Sequence, residues 1–361
     1  MKKILYIGMP FDQGKSGISR YIEQTLSHLS MENDVSLIMM RRDHDIVHES
    51  VSGVYDWLII GRSSLWAKPI LNILFHCFVL PIFCVFKDYD YVFFPAGNRR
   101  FPLFFSKKTI TMVHDFSHLH IPGKYDFFRE FYVTKILPVF LRGANLIFTP
   151  SQSTKNDLLN LCGLDEQKVR VNPLGFNYPK VKLMPNESRK KHILYVSRVE
   201  HPGKNHLGLI QAFEIFCNKS NSYELRMVGG DWNGSEEVHS YHSRSEAREK
   251  MKFLGHLSEE DLEREYTQAS IFIYPSFYEG FGLPLLEAMS RGIPVISSNK
   301  GSLPEVGASS VLYIDPEKPS DIAEKLHKLT SSTELQQKYI QLGIENLKRF
   351  SWKEHVERFP N

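Results

Sequence analysis

The chain has few cysteines, little net charge and no low-complexity run. The four cysteines, Cys77, Cys84, Cys162 and Cys217, include no C-x-x-C pair and show no zinc spacing with histidine. This pattern argues against a zinc finger or a disulfide framework and favours a reduced cytosolic setting. Lys plus Arg total 44 against 41 for Asp plus Glu. That balance provides no general attraction to nucleic acid, so we expect no nucleic-acid partner.

The amino terminus also lacks the apolar core of a signal peptide, because Asp12 and Gly14 interrupt it. One uncharged apolar segment, Pro69–Phe86, is near the lower limit for spanning a bilayer, and we interpret it as a buried or membrane-lying helix. Cations and aromatic residues follow it: Arg99, Arg100, Lys107 and Lys108 with Phe101, Phe104 and Phe105. These predict contact with an anionic membrane, a solvated loop being the alternative.

Short apolar runs alternate with helical patterns along the whole chain, seven runs in the first half and five in the second. Such alternation predicts parallel sheets covered by helices on both faces. A length of 361 residues suits two such domains. We predict an α/β protein with an N-terminal domain at 1–178, a polar linker at 179–191, a second domain at 192–345 and a terminal helix at 346–361.

The most informative stretch, PSFYEGFGLPLLEAM, begins at Pro275. A strand runs into a turn in which Gly280 and Gly282 can adopt backbone angles that other residues avoid, and Pro284 suits the start of a helix. The free N–H groups of such a helix start can hold a diphosphate. Two carboxylates, Glu279 and Glu287, flank the turn and are suited to binding hydroxyl groups. Together these features predict a nucleotide-sugar site.

A second motif, SRVEHPGKN, directly follows a strand in the second half and supplies two cations, Arg198 and Lys204. Ligands in open parallel sheets bind at the carboxyl ends of the strands. Two fixed cations there can stabilise the charge on a departing nucleoside diphosphate without a metal. We therefore expect no metal and no cofactor.

These motifs resemble those of retaining glycosyltransferase family four. Glu279, Phe281, Gly282, Leu283 and Glu287 match its E-x7-E signature, and the spacing of Arg198 and Lys204 matches its R-x5-K pair. The resemblance implies the GT-B fold, two Rossmann-like domains facing a cleft, with the donor mainly on the C-terminal domain. It also implies a terminal helix, beginning at FSW, that crosses back to the N-terminal domain.

Other site residues are carried over from the same resemblance. His256 and Leu257 would meet the nucleotide base through the main chain. Gly229 is predicted from its own position: it ends a strand, where a side chain would block an approaching ligand, a plain turn being the alternative. In the N-terminal half, Gly17 in a glycine-rich turn would approach the donor phosphates. His114, in a V-H-D sequence at a strand end, would contact the transferred sugar.

We therefore expect a retaining hexosyltransferase of bacterial surface-polysaccharide synthesis, similar to mannosyl- and rhamnosyl-type enzymes. The expected donor is a nucleotide diphosphate sugar, with GDP-mannose favoured, and the expected acceptor is a glycan or polyprenyl-linked glycan. The expected location is cytoplasmic, at the inner face of the inner membrane. Three alternatives remain open: a GT-B sugar-nucleotide epimerase, a non-catalytic nucleotide-sugar-binding protein, and a P-loop ATPase around Lys15, whose glycine spacing fits poorly.

Overall fold

A computed structural model describes residues 1–14, 16–51, 53–60, 69–177, 188–219 and 222–360. Two predictions fall largely outside these ranges: the P-loop alternative, which depends on Lys15, and the linker at 179–191. The chain divides into two compact units. The first comprises Met1–Phe116, Tyr125–Gly175 and Phe350–Asn361, and the second comprises Ser117–Lys124 and Phe176–Arg349.

The first unit contains a parallel sheet of seven described strands in the order β3-β2-β1-β4-β5-β6-β7. The strands are β1 Lys3–Ile7, β2 Asp34–Met40, β3 Val54–Ile60, β4 Tyr91–Phe94, β5 Thr109–Met112, β6 Leu146–Thr149 and β7 Val169–Val171. Its helices are α1 Gly17–Leu29, α2 Arg41–Ser50, α3 Pro69–Leu74, α4 Leu80–Val85, α5 Phe127–Phe131, α6 Leu137–Leu141 and α7 Gln152–Cys162. The strand order reverses direction between β1 and β4, as in doubly wound folds.

The second unit contains a parallel sheet of six described strands in the order β10-β9-β8-β11-β12-β13. The strands are β8 Lys190–Val196, β9 Glu224–Val228, β10 Met251–Phe253, β11 Ala269–Tyr274, β12 Val295–Ser298 and β13 Leu312–Ile314. Its helices are α8 His206–Cys217, α9 Ser235–Arg244, α10 Glu259–Gln268, α11 Leu283–Ser290, α12 Leu303–Gly307, α13 Pro319–Thr330 and α14 Thr333–Leu347. Here the strand order reverses between β8 and β11.

The predicted architecture, two doubly wound parallel α/β domains, is confirmed. Central strands such as β4, β6 and β11 are buried along their whole length, because helices cover both faces of each sheet. Three elements of the second unit, β10, α9 and the five-residue α12, were not predicted from the apolar pattern. β10 is only three residues long, with the exposed Lys252 at its centre, and α9 buries only Ser235 and Val238, so neither has a clear apolar period.

The apolar segment predicted at Pro69–Phe86 is helical and half-buried: Phe75, Leu80 and Cys84 lie in the core of the first unit, whereas the other face of the segment is exposed. Phe78 and Ile82 are 61% exposed and Phe86 is 81% exposed. A π-helical turn, Phe75–Val79, joins α3 to α4, and a similar turn, Tyr132–Ile136, joins α5 to α6. Each turn ends two residues before a proline, Pro81 or Pro138. Proline has no N–H for the ordinary helical bond, and the shift to a wider turn accommodates this loss. Across the described residues, no helix is both long and apolar enough to cross a bilayer.

The final helix, α15 Trp352–Glu357, packs against α1 in the first unit. The imidazole of His355 lies at the centre of this contact and is 1% exposed. Its Nδ1 lies 2.8 Å from the Pro173 carbonyl and its Nε2 lies 3.1 Å from the Tyr21 hydroxyl. Since a carbonyl only accepts, Nδ1 carries the proton in the neutral ring, and Tyr21 donates to Nε2. Asn172 donates to the His355 carbonyl oxygen at 3.0 Å.

This contact predicts a loss of stability in acid. Burial lowers the pKa of His355 from 6.5 to about 4, more than the bond to Pro173 raises it. As the pH falls, the imidazole therefore binds a proton in the unfolded chain before it does so in the folded chain. The neutral, buried ring stabilises the fold fully above pH 6.5, and this stabilisation is lost as the pH falls toward 4. His355→Asn keeps an N–H donor and an acceptor but cannot titrate. Between pH 6.5 and 4 we expect its free energy of unfolding to fall by up to about 3 kcal/mol less than that of the parent. Urea unfolding of both proteins across this pH range measures the difference, and parallel pH profiles would contradict the assignment.

Candidate donor site

The predicted donor-site residues lie at the carboxyl ends of four adjacent strands in the second unit. The loop after β8 carries Arg198 and Lys204, and the loop after β11 carries Glu279. Gly229 follows β9, and His256 follows β10. The first two loops flank the position where the strand order reverses, which is where doubly wound folds bind ligands. The sheet therefore brings together two motifs that lie some 75 residues apart in the chain.

Lys204 and Glu279 form the central contact of this site. Lys204 Nζ lies 2.6 Å from Glu279 Oε1, and the two side chains are only 15% and 14% exposed. The backbone around Lys204 is fixed, because the Tyr195 hydroxyl donates to its carbonyl oxygen at 2.6 Å. The next residue, Asn205, donates to the Pro275 carbonyl at 3.1 Å, and the Phe277 N–H donates to Gly203 at 3.0 Å. The two loops are therefore held together by one main-chain bond and by the side-chain amide of Asn205, as well as by the ion pair.

The turn after Glu279 has the predicted special backbone. Gly282 has a φ of +102°, which other residues rarely adopt, and an added Cβ would lie 2.6 Å from Leu303 Cδ2. The same prediction for Gly280 is wrong, because it is not among the described glycines with positive φ. The buried Ser302 hydroxyl lies 2.8 Å from the Glu279 carbonyl oxygen and 3.0 Å from that of Phe281. Ser302 thus fixes the turn from outside the predicted motif.

Arg198 is oriented by a buried carboxylate that the sequence motifs did not identify. Arg198 Nε lies 2.6 Å from Glu200 Oε2, and its guanidinium lies over the Trp232 ring at 5.1 Å. Lys124 Nζ contacts the other oxygen, Oε1, at 3.1 Å. Burial raises the pKa of Glu200, but Lys124, Arg198 and Lys204 together outweigh burial and hold it below 4.5. Glu200 therefore stays ionised and aligns the guanidinium.

We expect Glu200→Gln to cost about 2 to 3 kcal/mol of stability, because Lys124 loses its counter-ion in a site where both side chains are largely buried. The carboxylate stabilises above the unfolded pKa of 4.5, so the difference from the parent should shrink as the pH falls through the lower folded pKa. Urea unfolding measures both effects. Glu345→Gln, in an exposed pair with Lys348, is the control and should change stability by less than about 0.5 kcal/mol. An equal cost for the two variants would contradict the role of Glu200.

Glu287 and the remaining donor-side residues lie in α11, in the turn before it, and after the ends of β9 and β10. Glu287 lies in α11, where it accepts a 2.7 Å bond from the Tyr266 hydroxyl. Leu283 begins that helix, and Phe281 before it is buried. Three further positions follow β9 and β10: His256 is exposed, Leu257 is partly buried, and Gly229, at φ +147°, leaves no space for a Cβ beside the Ser197 carbonyl.

The two candidates from the N-terminal half, His114 and Gly17, lie in the first unit. His114 follows β5, and its Nε2 lies 2.7 Å from the Pro95 carbonyl, so Nε2 carries the proton and Nδ1 is the acceptor. Burial lowers the pKa of His114 to about 4, which keeps the ring neutral near pH 7. Gly17 begins α1, and an added Cβ there would meet open space. Packing therefore does not require glycine at this position.

Family models and known proteins match both halves of the chain. The model described as glycosyl transferases group 1 matches residues 182–346, and that described as glycosyltransferase family 4 matches residues 15–178. An O-antigen chain mannosyltransferase B of Escherichia coli is 30% identical over 279 residues, covering 74% of this chain and 72% of the relative. The chain belongs to glycosyltransferase family four. A second relative, the O-antigen chain mannosyltransferase RfbU of Salmonella typhimurium, is 28% identical over 210 residues, covering 58% of this chain and 57% of the relative.

Solved structures show that this glycosyltransferase has the GT-B fold, as expected. A glycosyltransferase from Rickettsia africae superposes with a TM-score of 0.74 at 18% identity, covering 99% of this chain and 96% of that one. Anabaena Alr3699/HepE, solved in complex with UDP and glucose, gives 0.75 at 16% identity, covering 99% and 98%. The protein is an enzyme of a retaining hexosyltransferase family whose members bind nucleotide-sugar donors.

The residues that the motifs missed support those that they found. Glu200 and Asn205 lie within SRVEHPGKN but were given no role there, and Ser302 contacts the loop of Glu279 from outside both motifs. His120 stacks on Tyr278, beside Glu279, with ring centroids 4.2 Å apart. One signal was available for Glu200, since it lies two residues after Arg198 in the same loop. Within the described residues, no group of three or more His, Cys, Asp or Glu is placed to hold a metal ion.

Proposed function

We propose that this glycosyltransferase transfers mannose from GDP-mannose to a hydroxyl of a glycan or polyprenyl-linked glycan in bacterial surface-polysaccharide synthesis. The choice of mannose rests on the two relatives named as O-antigen mannosyltransferases. The site chemistry rests on one observation, the pairing of Lys204 with Glu279 where the strand order reverses. A cation for the diphosphate and a carboxylate for sugar hydroxyls lie side by side there. The enzyme acts at the cytoplasmic face of the inner membrane.

The donor diphosphate binds between the two motif loops. An ammonium group has three N–H donors, so Lys204 can keep its bond to Glu279 and still donate to a phosphate oxygen. Arg198, aligned by Glu200, supplies the second cation. The N–H groups from Phe281 to Leu283 add the positive end of α11. Charge that develops on the leaving diphosphate thus meets fixed donors that need no reorganisation.

The sugar and the nucleoside contact the remaining residues. Glu279 accepts bonds from the hydroxyl groups of the transferred sugar, and Glu287 accepts from the ribose. His256 and Leu257 meet the base through their main chain, next to Gly229. Retention follows if the C1–O bond to the diphosphate breaks and the acceptor hydroxyl bonds to C1 on the same face, its proton passing to the departing phosphate oxygen, as the family resemblance implies.

The proposal also includes two residues of the first unit, which come from the family resemblance. His114 is neutral, with Nδ1 as its acceptor, and this suits a bond from a sugar hydroxyl rather than proton donation. Gly17 allows the main chain to approach the donor phosphates. Transfer by His114→Ala tests the first role, and we expect a loss in kcat with little change in GDP affinity.

Thermal shift with GDP, UDP, dTDP and ADP, each alone and as its sugar conjugate, identifies the nucleoside, because a bound ligand raises stability by mass action. We expect GDP and GDP-mannose to give the largest shifts. Transfer to a lipid-linked glycan acceptor then tests the reaction. A larger shift with UDP would overturn the choice of base, and isomerisation of the donor without an acceptor would favour the epimerase alternative. Tight donor binding without any turnover would favour the non-catalytic one.

A further inference from the structure

The first unit has an apolar groove of about 630 Å³ that lies outside the candidate site. Its walls come from the α3–α4 segment, the loop after β4 and the α5–α6 segment, and they include Cys77, Phe78, Ile82, Leu103, Phe104 and Tyr132. The volume falls within the range of about 300 to 1,000 Å³ that is typical of pockets for apolar ligands. Unlike such pockets, this groove has a rim that is itself apolar and open to solvent.

Five apolar side chains at the rim are more than half exposed, although contact with water is unfavourable for them. Phe78 and Ile82 are each 61% exposed, Phe104 is 69% exposed, and Val85 and Leu103 are both 55% exposed. All five line the groove. A contiguous apolar surface of this kind marks an interaction site in a protein that is soluble alone. Moving each exposed aromatic or aliphatic side chain out of water lowers the free energy of the system.

The charge around the groove is mostly positive, although the chain as a whole is nearly neutral. With the residues directly beside them, the three wall segments, 69–88, 99–108 and 126–142, contain eight Lys or Arg residues and three acidic residues, Asp88, Asp126 and Glu130. Not all of the cations face outward. Arg99 and Arg100 are partly buried, and burial lowers the pKa of both, which corrects the expectation that they face a membrane. Lys87, Lys108 and Lys135 are exposed.

We propose that this face is a docking surface for an anionic phospholipid bilayer, with an acyl chain in the groove and the lysines at the headgroups. Exposed apolar side chains and exposed lysines in the same segments match the two layers of an anionic leaflet, with hydrocarbon inside and negative charge at the surface. Charge complementarity decides for a lipid surface over an uncharged apolar partner. The inference goes beyond the transfer reaction, and vesicle binding needs neither donor nor acceptor.

Sedimentation with vesicles tests the docking surface with the full chain. We expect binding to phosphatidylcholine vesicles that contain phosphatidylglycerol. Phe78→Ser with Phe104→Ser should weaken this binding at least about tenfold, because two apolar side chains no longer leave water. The matched control changes two exposed apolar residues elsewhere, Met31→Ser with Ile215→Ser, and should bind like the parent. Equal binding by the two double variants, or no binding by the parent, would overturn the proposal.

The charge component has its own variants. Lys107→Glu with Lys108→Glu should lower binding to phosphatidylglycerol-containing vesicles by about tenfold or more, since each cation near an anionic surface contributes about 1 kcal/mol. Lys328→Glu with Lys338→Glu, which changes the net charge equally at exposed positions of α13 and α14, should have a much smaller effect. Equal losses for both pairs would show attraction by net charge and would overturn a defined surface.

The cysteines provide a map of the contact without any substitution. Cys77 lines the groove and Cys217 lies in α8 of the other unit, and both are half-buried, with burial raising the pKa of each thiol. We expect the vesicles to slow alkylation of Cys77 severalfold and to leave Cys217 unchanged. Equal rates at Cys77 with and without vesicles would place the membrane elsewhere. Protection of Cys77 by the protein's own concentration, with dimerisation in sedimentation velocity, would assign the groove to a second copy instead.

Discussion

Glu279→Gln should lower kcat for sugar transfer by about 100-fold or more while GDP binds as tightly as before, or up to about tenfold more tightly. Transfer falls because the amide no longer accepts two strong bonds from sugar hydroxyls in the transition state. Binding of GDP does not fall, because Lys204 loses the carboxylate that neutralises it at 2.6 Å. Both side chains are mostly buried, so solvent screens the released charge weakly. The opposite direction of the two effects is specific to this pairing.

Steady-state transfer and GDP titration measure the two effects. Glu345→Gln is the control, because Glu345 also lies 2.6 Å from a lysine, Lys348, but both side chains are more than two-thirds exposed. It should leave kcat and GDP affinity unchanged. A parallel fall of kcat and GDP affinity in Glu279→Gln would show that Glu279 shapes the whole site and does not select the sugar. Unchanged transfer would remove it from the reaction.

The proximity of the two motif loops could be predicted from sequence, because each motif is short and follows a strand end. Arg198 and Lys204 are six residues apart, and parallel-strand topology alone puts their loop beside the loop of Glu279. The contact between Glu200 and Lys124 could not be predicted, because the two residues lie in different halves of the chain and Lys124 belongs to a loop without periodicity. Local pattern carries no information on such distant pairs.

The sequence also does not show in which direction a side chain points or how exposed it is. The sequence shows that Arg99, Arg100, Lys107 and Lys108 are close together, but not that the first two turn inward, where Arg99 donates to the Pro10 carbonyl at 3.3 Å. It shows an uncharged segment at 69–86, but periodicity cannot tell a buried helix from one whose apolar side chains face out. Only the packing of the α5–α6 segment beside it reveals an open groove.

Lys204→Met should weaken GDP binding by about 100-fold, more than the loss of one exposed cation would, because Glu279 is left without a counter-ion at the point where we propose that the diphosphate binds. Adding Glu279→Gln to Lys204→Met removes that charge. The double variant should therefore recover about tenfold in GDP affinity and still fail to transfer sugar. Isothermal titration of the four proteins completes the cycle, with Lys348→Met as the exposed control. A double variant that binds GDP no better than Lys204→Met alone would mean that the two side chains do not share the diphosphate site, whereas recovery of binding without turnover would assign Lys204 to the diphosphate and Glu279 to the sugar.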